Sequence, residues 1–168
     1  MQKERAFTLI ELMITIALAV IVATVAVPSF RSTIDSSRIS TATNDLIVGL
    51  SAARSEALSR GRPVSLTTRT ASCSQGRQDW QCGWRVVDTG DSSTIRQQDP
   101  AEPSVEIANA PGQVVYNPSG MLDGNSDEQF RIFIGSSADP RRERYIEISR
   151  TGRVRSCNPE RDANCPSP

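Results

Sequence analysis

Few side chains in this 168-residue sequence could do chemistry, and the cysteines come first. Cys73 and Cys82 form one close pair, Cys157 and Cys165 another. Zinc sites use tighter pairs such as CxxC, so two local disulfides are the expectation. Each would close a small loop and stabilise by about 2–3 kcal/mol in the chain-entropy model. Three pairings are formally open to four cysteines; the turn-forming residues inside each pair favour the local one. Disulfides persist outside the cytoplasm, which places this part of the chain in the periplasm or exterior. Histidine is absent, and with it the commonest general base and a common metal ligand. No nucleophile–base pair, P-loop or metal cluster is readable. A catalyst, a cofactor and a bound metal are therefore not expected.

A second cluster is cationic. Arg141, Arg142, Arg144, Arg150, Arg153 and Arg155 lie within 15 residues, partly offset by Glu143 and Glu147. One reading is a phosphate-binding surface. The favoured reading is a strand edge whose arginines are solvated, paired with Glu143, Glu147 and Asp139, or in contact with another subunit, because charged edges block unwanted pairing. Asp123-x-Asn125-x-Asp127 has the opening spacing of a calcium loop. Glu128 stands where that loop needs glycine and Ile134 where it needs a carboxylate, so a solvated turn is expected. Trp80 and Trp84 are expected in the core rather than on a ligand platform. The net charge is zero, so global electrostatics points to no partner.

The third chemical group is a lone carboxylate. Phe7 to Val27 is a 21-residue apolar run whose single charge is Glu11. As a helix it spans roughly 32 Å, enough for a bilayer core. Lys3 and Arg5 precede it and should stay cytoplasmic, leaving the C-terminal part across the membrane. A cleaved secretory signal has a shorter apolar region. A plain signal anchor fits the length but gives Glu11 no purpose, although a carboxylate one turn into an apolar span costs a few kcal/mol.

Ala6-Phe7-Thr8-Leu9-Ile10-Glu11-Leu12 resembles the class III signal of type IV pilins and type II secretion pseudopilins. The resemblance implies that a prepilin peptidase cuts between Ala6 and Phe7 and that Phe7 is then N-methylated. It implies that Glu11 pairs with the Phe7 amine of a neighbouring subunit or of its own chain. Removing Glu11 would leave that amine unpaired in a low-dielectric filament core. Ala6 stands where the family usually has glycine. Pro28 follows the apolar run, as in many pilins, and should kink or loosen the helix.

The elements that must position these residues follow from pattern. Phe30, Ile34, Ala42, Leu46, Leu50, Ala53 and Ala57 recur at helical spacing, with Ile39, Ile47 and Leu58 widening the stripe. Arg31, Asp35, Arg38, Asn44, Asp45 and Arg54 mark the opposite face. Gly61 and Pro63 should end the helix. Eight short strands are expected after it, at Val64–Thr68, Gly83–Val87, Thr94–Gln97, Ser104–Ala108, Gln113–Tyr116, Phe130–Ile134, Tyr145–Ser149 and Arg153–Arg155. The tail after Cys157 reads as polar and held only by its disulfide.

Ala53-Arg54-Ser55-Glu56-Ala57 with Gly61 resembles the minor-pilin and pseudopilin family called GspH or FimT/FimU. So do Trp80 with Gly83-Trp84, the Asn117-to-Gly120 step, and Ile148-Ser149 with Gly152-Arg153-Val154. The implied fold is α+β and pilin-like, a long N-terminal helix packed on antiparallel sheets. The expected organisation is a leader at 1–6, a transmembrane and assembly half-helix at 7–28, an amphipathic half-helix at 29–61, and a β-rich periplasmic or extracellular domain at 62–168. The implied function is a minor pilin in an initiating or tip complex of a type IV pilus, with other major and minor pilins, the prepilin peptidase and the inner membrane as partners. The alternatives are a minor pseudopilin of type II secretion, or a DNA-binding minor pilin for DNA uptake. Some FimT-type proteins bind DNA through Gly-Arg-x-Arg, which Gly152-Arg153-Val154-Arg155 matches. Arg153, Arg155, Arg150 and Arg144 are then the candidate DNA-binding residues.

Overall fold

The computed structural model describes residues 8–69, 80–124, 126–135 and 143–165, with the side chains of 25–29 left out. The chain divides into two compact units, Met1–Ser36 and Ser37–Pro168. One helix, α1, runs over Leu9–Arg60. Its helical assignment is unbroken across position 28. It ends where glycine and proline predict: Arg60 stands in the last turn, Gly61 takes a left-handed φ of 62°, and Pro63 follows.

In the second unit the helix buries Ile39, Leu46, Leu50, Ala53 and Ala57. The apolar stripe is narrower than its periodicity implies. Phe30, Ile34 and Leu58 are exposed, and the buried face instead includes Thr43, whose hydroxyl donates to Ile39 O at 2.7 Å. Periodicity shows that a face exists, not how far its cover extends.

Among the described residues eight strands follow: β1 (Val64–Thr68), β2 (Trp84–Asp88), β3 (Thr94–Gln98), β4 (Val105–Ala108), β5 (Gln113–Tyr116), β6 (Glu128–Ile134), β7 (Glu143–Ile148) and β8 (Val154–Cys157). They form two four-stranded sheets, ordered β3-β2-β1-β5 and β4-β6-β7-β8, and every pairing is antiparallel. Alternation sends Leu66, Val86, Val114, Phe130, Ile132, Ile146 and Ile148 inward, into one apolar cluster with the helix residues. Trp80 and Trp84 are in that core, as expected. Trp80 meets Phe130 edge-to-face at 4.9 Å, and its Nε1–H donates to Pro111 O at 2.7 Å. Trp84 requires Gly49: a Cβ there would lie 2.6 Å from the indole.

Two buried carboxylates tie the frame together. Asp88, fully buried, accepts from Arg62 at 2.8 Å and Arg60 at 3.5 Å, joining the helix end to β2. It also accepts the Gly90 N–H at 2.9 Å. Glu143 is 2% exposed and receives the fork of Arg131 at 2.5 and 3.2 Å. The Arg131 guanidinium also lies 4.7 Å over the Phe133 ring.

The Cys157–Cys165 disulfide is formed. Cys73 lies outside the described residues; Cys82 is disulfide-bonded. The tail after Cys157 is held by more than its disulfide, contrary to the expectation. Asn158 is buried and donates from Nδ2 to Glu143 O at 3.2 Å, and Arg155 reaches Asn164 O at 3.0 Å. An Asx turn at Asn158 and backbone bonds from Arg161 and Asp162 to Asn158 O order the segment.

Candidate functional site

Two places carry the candidate residues: the start of the helix and the turn leading into β8. At the helix start, Thr8 and Glu11 form a reciprocal capping box. The Glu11 N–H donates to Thr8 Oγ1 at 3.3 Å, while Glu11 Oε2 accepts from Thr8 N at 3.0 Å and Thr8 Oγ1 at 2.9 Å. The Thr8-x-x-Glu11 spacing carries this motif in the sequence itself. Ala6 and Phe7, the expected cleavage and methylation positions, lie outside the described residues.

The turns on both sides of Glu11 expose apolar side chains: Leu9 is 77% accessible, Ile10 65% and Met13 62%. Among the described residues no helix is long and apolar enough to cross a membrane. The expected span Phe7–Val27 includes positions outside the described side chains at both ends.

At the second place, the four candidate arginines are not equivalent. Arg155 is bound to Glu147, its cross-strand partner, and that bond raises its pKa. Arg144 donates to Glu143 O at 2.8 Å; burial and the nearby Arg161 charge lower its pKa. The Arg150 N–H is held by Asp127 Oδ1 at 2.8 Å. Arg153 has an exposed side chain, with its N–H bonded to Ser149 Oγ at 3.3 Å. Arg141 and Arg142 lie outside the described residues. Arg153 and Arg155 do share one open groove of about 710 Å³, but Asp127, Glu128 and Glu147 line it too. Its electrostatics are mixed, which opposes a polyanion.

Asp127 is thus tied to the backbone of Arg150; Asn125 lies outside the described residues. Among the described residues no group of acidic, cysteine or histidine side chains could hold a metal.

The landmark glycines have a physical reason. Gly152 adopts a φ of 76°, and a Cβ on it would lie 2.0 Å from Gly120 O. Gly120, at φ 71°, sits against Leu58 of the helix. Asn117 shapes that turn, its Oδ1 accepting from the N–H groups of Ser119 at 2.9 Å and Met121 at 3.1 Å. Arg54 crosses from the helix to donate to Thr151 O at 3.0 Å, and the Leu122 N–H donates to Arg150 O at 3.0 Å. Helix, Asn117 turn and Gly152 turn are therefore locked at one point, from which Arg153 and Arg155 leave along β8.

Comparison with known proteins agrees with this geometry. The model of the family "Type II transport protein GspH" matches residues 42–152. That of the prokaryotic N-terminal methylation motif matches residues 1–27. No curated protein matches the chain. Among solved structures it resembles the type IV minor pilin FimU of Pseudomonas aeruginosa at 22% identity and a TM-score of 0.60, covering 73% of this chain and 90% of that one. A second crystal form of FimU gives a TM-score of 0.58. The minor pseudopilin EpsH of the Vibrio cholerae type II secretion system is similar at 13% identity and a TM-score of 0.45. The chain belongs to the GspH family, carries the N-terminal methylation motif, and shares with FimU the fold of a long N-terminal helix packed on antiparallel sheets.

Proposed function

We propose that this chain is a minor pilin that joins an initiating or tip complex of a type IV pilus after prepilin peptidase cuts between Ala6 and Phe7. The observation that carries this reading is the division of labour along α1. Its early turns present Leu9, Ile10, Leu12, Met13, Ile14 and Ile16 outward, while the turns from Ile39 to Ala57 are buried in the domain's own core. An apolar helix surface left uncovered among the described residues suits lipid before assembly and neighbouring helices after it.

In this reading residues 7–28 anchor the precursor in the inner membrane and residues 62–168 lie in the periplasm. Pro28 loosens the helix at the boundary. Glu11 sits at the helix start, where cleavage would release the Phe7 amine, and it would exchange part of its Thr8 capping for that cation in the assembled bundle. The role is structural and non-catalytic, and its partners are other major and minor pilins. The FimU likeness supports the fold of this reading, and FimU is itself a type IV minor pilin.

The test is Glu11→Ala in cells. The variant should accumulate in the membrane at normal levels and assemble few or no pili. Normal piliation would sink the proposal, and loss of protein secretion with intact pili would transfer it to type II secretion. DNA uptake is a weaker reading, because Arg155 is neutralised by Glu147 and the shared groove is lined by carboxylates. Gel shifts with Arg153 and Arg155 neutralised check it: unchanged or absent DNA binding removes it.

A further inference from the structure

A second groove, which shares Arg153 with the mixed-charge one, runs between the outer side of α1 and the turn into β8. It encloses about 400 Å³. Its walls are apolar at Ile47, Leu58 and Val154, and small at Ser55. Arg54 and Arg153 also line it.

Among the described residues neither arginine has a carboxylate partner. Arg38, Arg60, Arg62, Arg69, Arg131 and Arg155 each pair with one. Among the described residues none pairs with Arg54 or Arg153. Arg54 is the more demanding case. Its Nη2 donates to a backbone carbonyl, but its Nε is buried without any hydrogen-bond partner. The nearby Tyr116 hydroxyl is buried and unpartnered too, so it supplies no compensation. A partly desolvated guanidinium left without a counter-charge is unfavourable until an anion approaches.

We propose that this groove docks a partner protein through one carboxylate set between apolar side chains. The carboxylate would lie between Arg54 and Arg153, and its flanking residues would cover Ile47, Leu58 and Val154. A strand of nucleic acid fits less well. Two cations between apolar walls match one anionic group rather than a series of phosphates, and the cationic path beyond Arg153 is cancelled at Arg155 by Glu147. The proposal builds on the reading of the chain as an assembly subunit, which gives it partners, but its test is independent of assembly.

That test uses the full-length chain in dodecylmaltoside micelles, with acetyl-Leu-Glu-Leu-amide as the probe and NMR of the arginine Nε–H and backbone amides as the readout. Saturable shifts are expected at Arg54 Nε–H and at the amides of Gly152 and Val154. Acetyl-Leu-Gln-Leu-amide should bind at least tenfold more weakly. Arg153→Gln, at an exposed position, should weaken the Glu peptide at least tenfold with the rest of the spectrum unchanged. Equal binding of the two peptides, no shift at the groove, or an unaffected Arg153→Gln variant overturns the proposal. A short DNA duplex shifting the same residues at lower concentration than the Glu peptide overturns it in favour of nucleic acid. Failure here leaves the Glu11→Ala prediction standing, and failure there leaves this result standing.

Discussion

Replacing Gly152 by alanine separates two explanations of the Gly-Arg-x-Arg sequence. If its glycine belongs to a ligand site, the substitution should leave stability nearly unchanged. The geometry requires otherwise. At φ 76° an alanine pays the left-handed strain, about 1–2 kcal/mol. Its Cβ would also lie 2.0 Å from Gly120 O, a backbone atom held by its own turn. Relieving that overlap means moving two turns and the Arg54 tie, comparable to over-packing a core at about 1–3 kcal/mol. The sum is about 2–5 kcal/mol. Gly61→Ala is the internal control, since Gly61 has a φ of 62° but a Cβ added to it would meet nothing within 4 Å. It should show the strain alone. Urea unfolding of the chain in detergent, followed by the fluorescence of the buried Trp80 and Trp84, measures both. A Gly152→Ala loss no larger than that of Gly61→Ala would refute the lock between the two turns.

Three further predictions use the same assay. The hydroxyl of Tyr116 is buried with no partner, so Tyr116→Phe should leave stability unchanged or raise it by up to about 1 kcal/mol. Burial pushes the Tyr116 pKa from 10.0 up to about 12, with Arg54 opposing. The unfolded chain therefore loses this proton first, and its contribution is intact below pH 10 and disappears toward pH 12. That loss is about 2–3 kcal/mol; it should be absent from Tyr116→Phe, while Tyr145, whose pKa burial also raises, still titrates in that variant. Asp88→Asn should cost about 1–3 kcal/mol by leaving Arg60 and Arg62 without their shared carboxylate, softened because both arginines are partly exposed. Cys157→Ser removes a bridge across a sequence separation of 8 and should cost about 2–3 kcal/mol.

The helix end and the eight strands could be read from the chain because local physics decides them. Gly61 and Pro63 cannot continue a helix, and Phe130-Arg131-Ile132 alternates on a pleat. Strand starts were less readable where a charge opens them. Glu143 reads as a polar connector, and only the antiparallel register that brings Arg131 beside it makes its burial tolerable. Asn158 is buried for a similar reason, through its bond to Glu143 O. Leu58 fits the helical stripe yet is exposed, because which positions of the helix lie under the sheets depends on contacts far away in sequence. At the functional positions, residue types gave the arginine cluster but not its division. Whether Arg155 is free or bound depends on Glu147 lying opposite it, and whether Gly152 is replaceable depends on the carbonyl of Gly120, far earlier in the chain. Glu11 was singled out from its neighbours, but its bond with Thr8 needed only the four-residue capping pattern.

The order of strands in the first sheet bears on how the chain is made. β1 pairs with β2 soon after both exist, but its other side waits for β5, with Val64 opposite Tyr116. In the second sheet β6, β7 and β8 pair with their nearest neighbours in sequence. A chain emerging from its N-terminus therefore presents α1 with Leu50, Ala53 and Ala57 uncovered, and β1 with an open edge, until the stretch through Tyr116 has followed. During that interval the helix has exposed apolar turns at both ends of its length. In the reading proposed above, a bilayer holding the early turns would keep them from collapsing onto the late ones, and such an anchor would also serve as a chaperone for the chain's own folding.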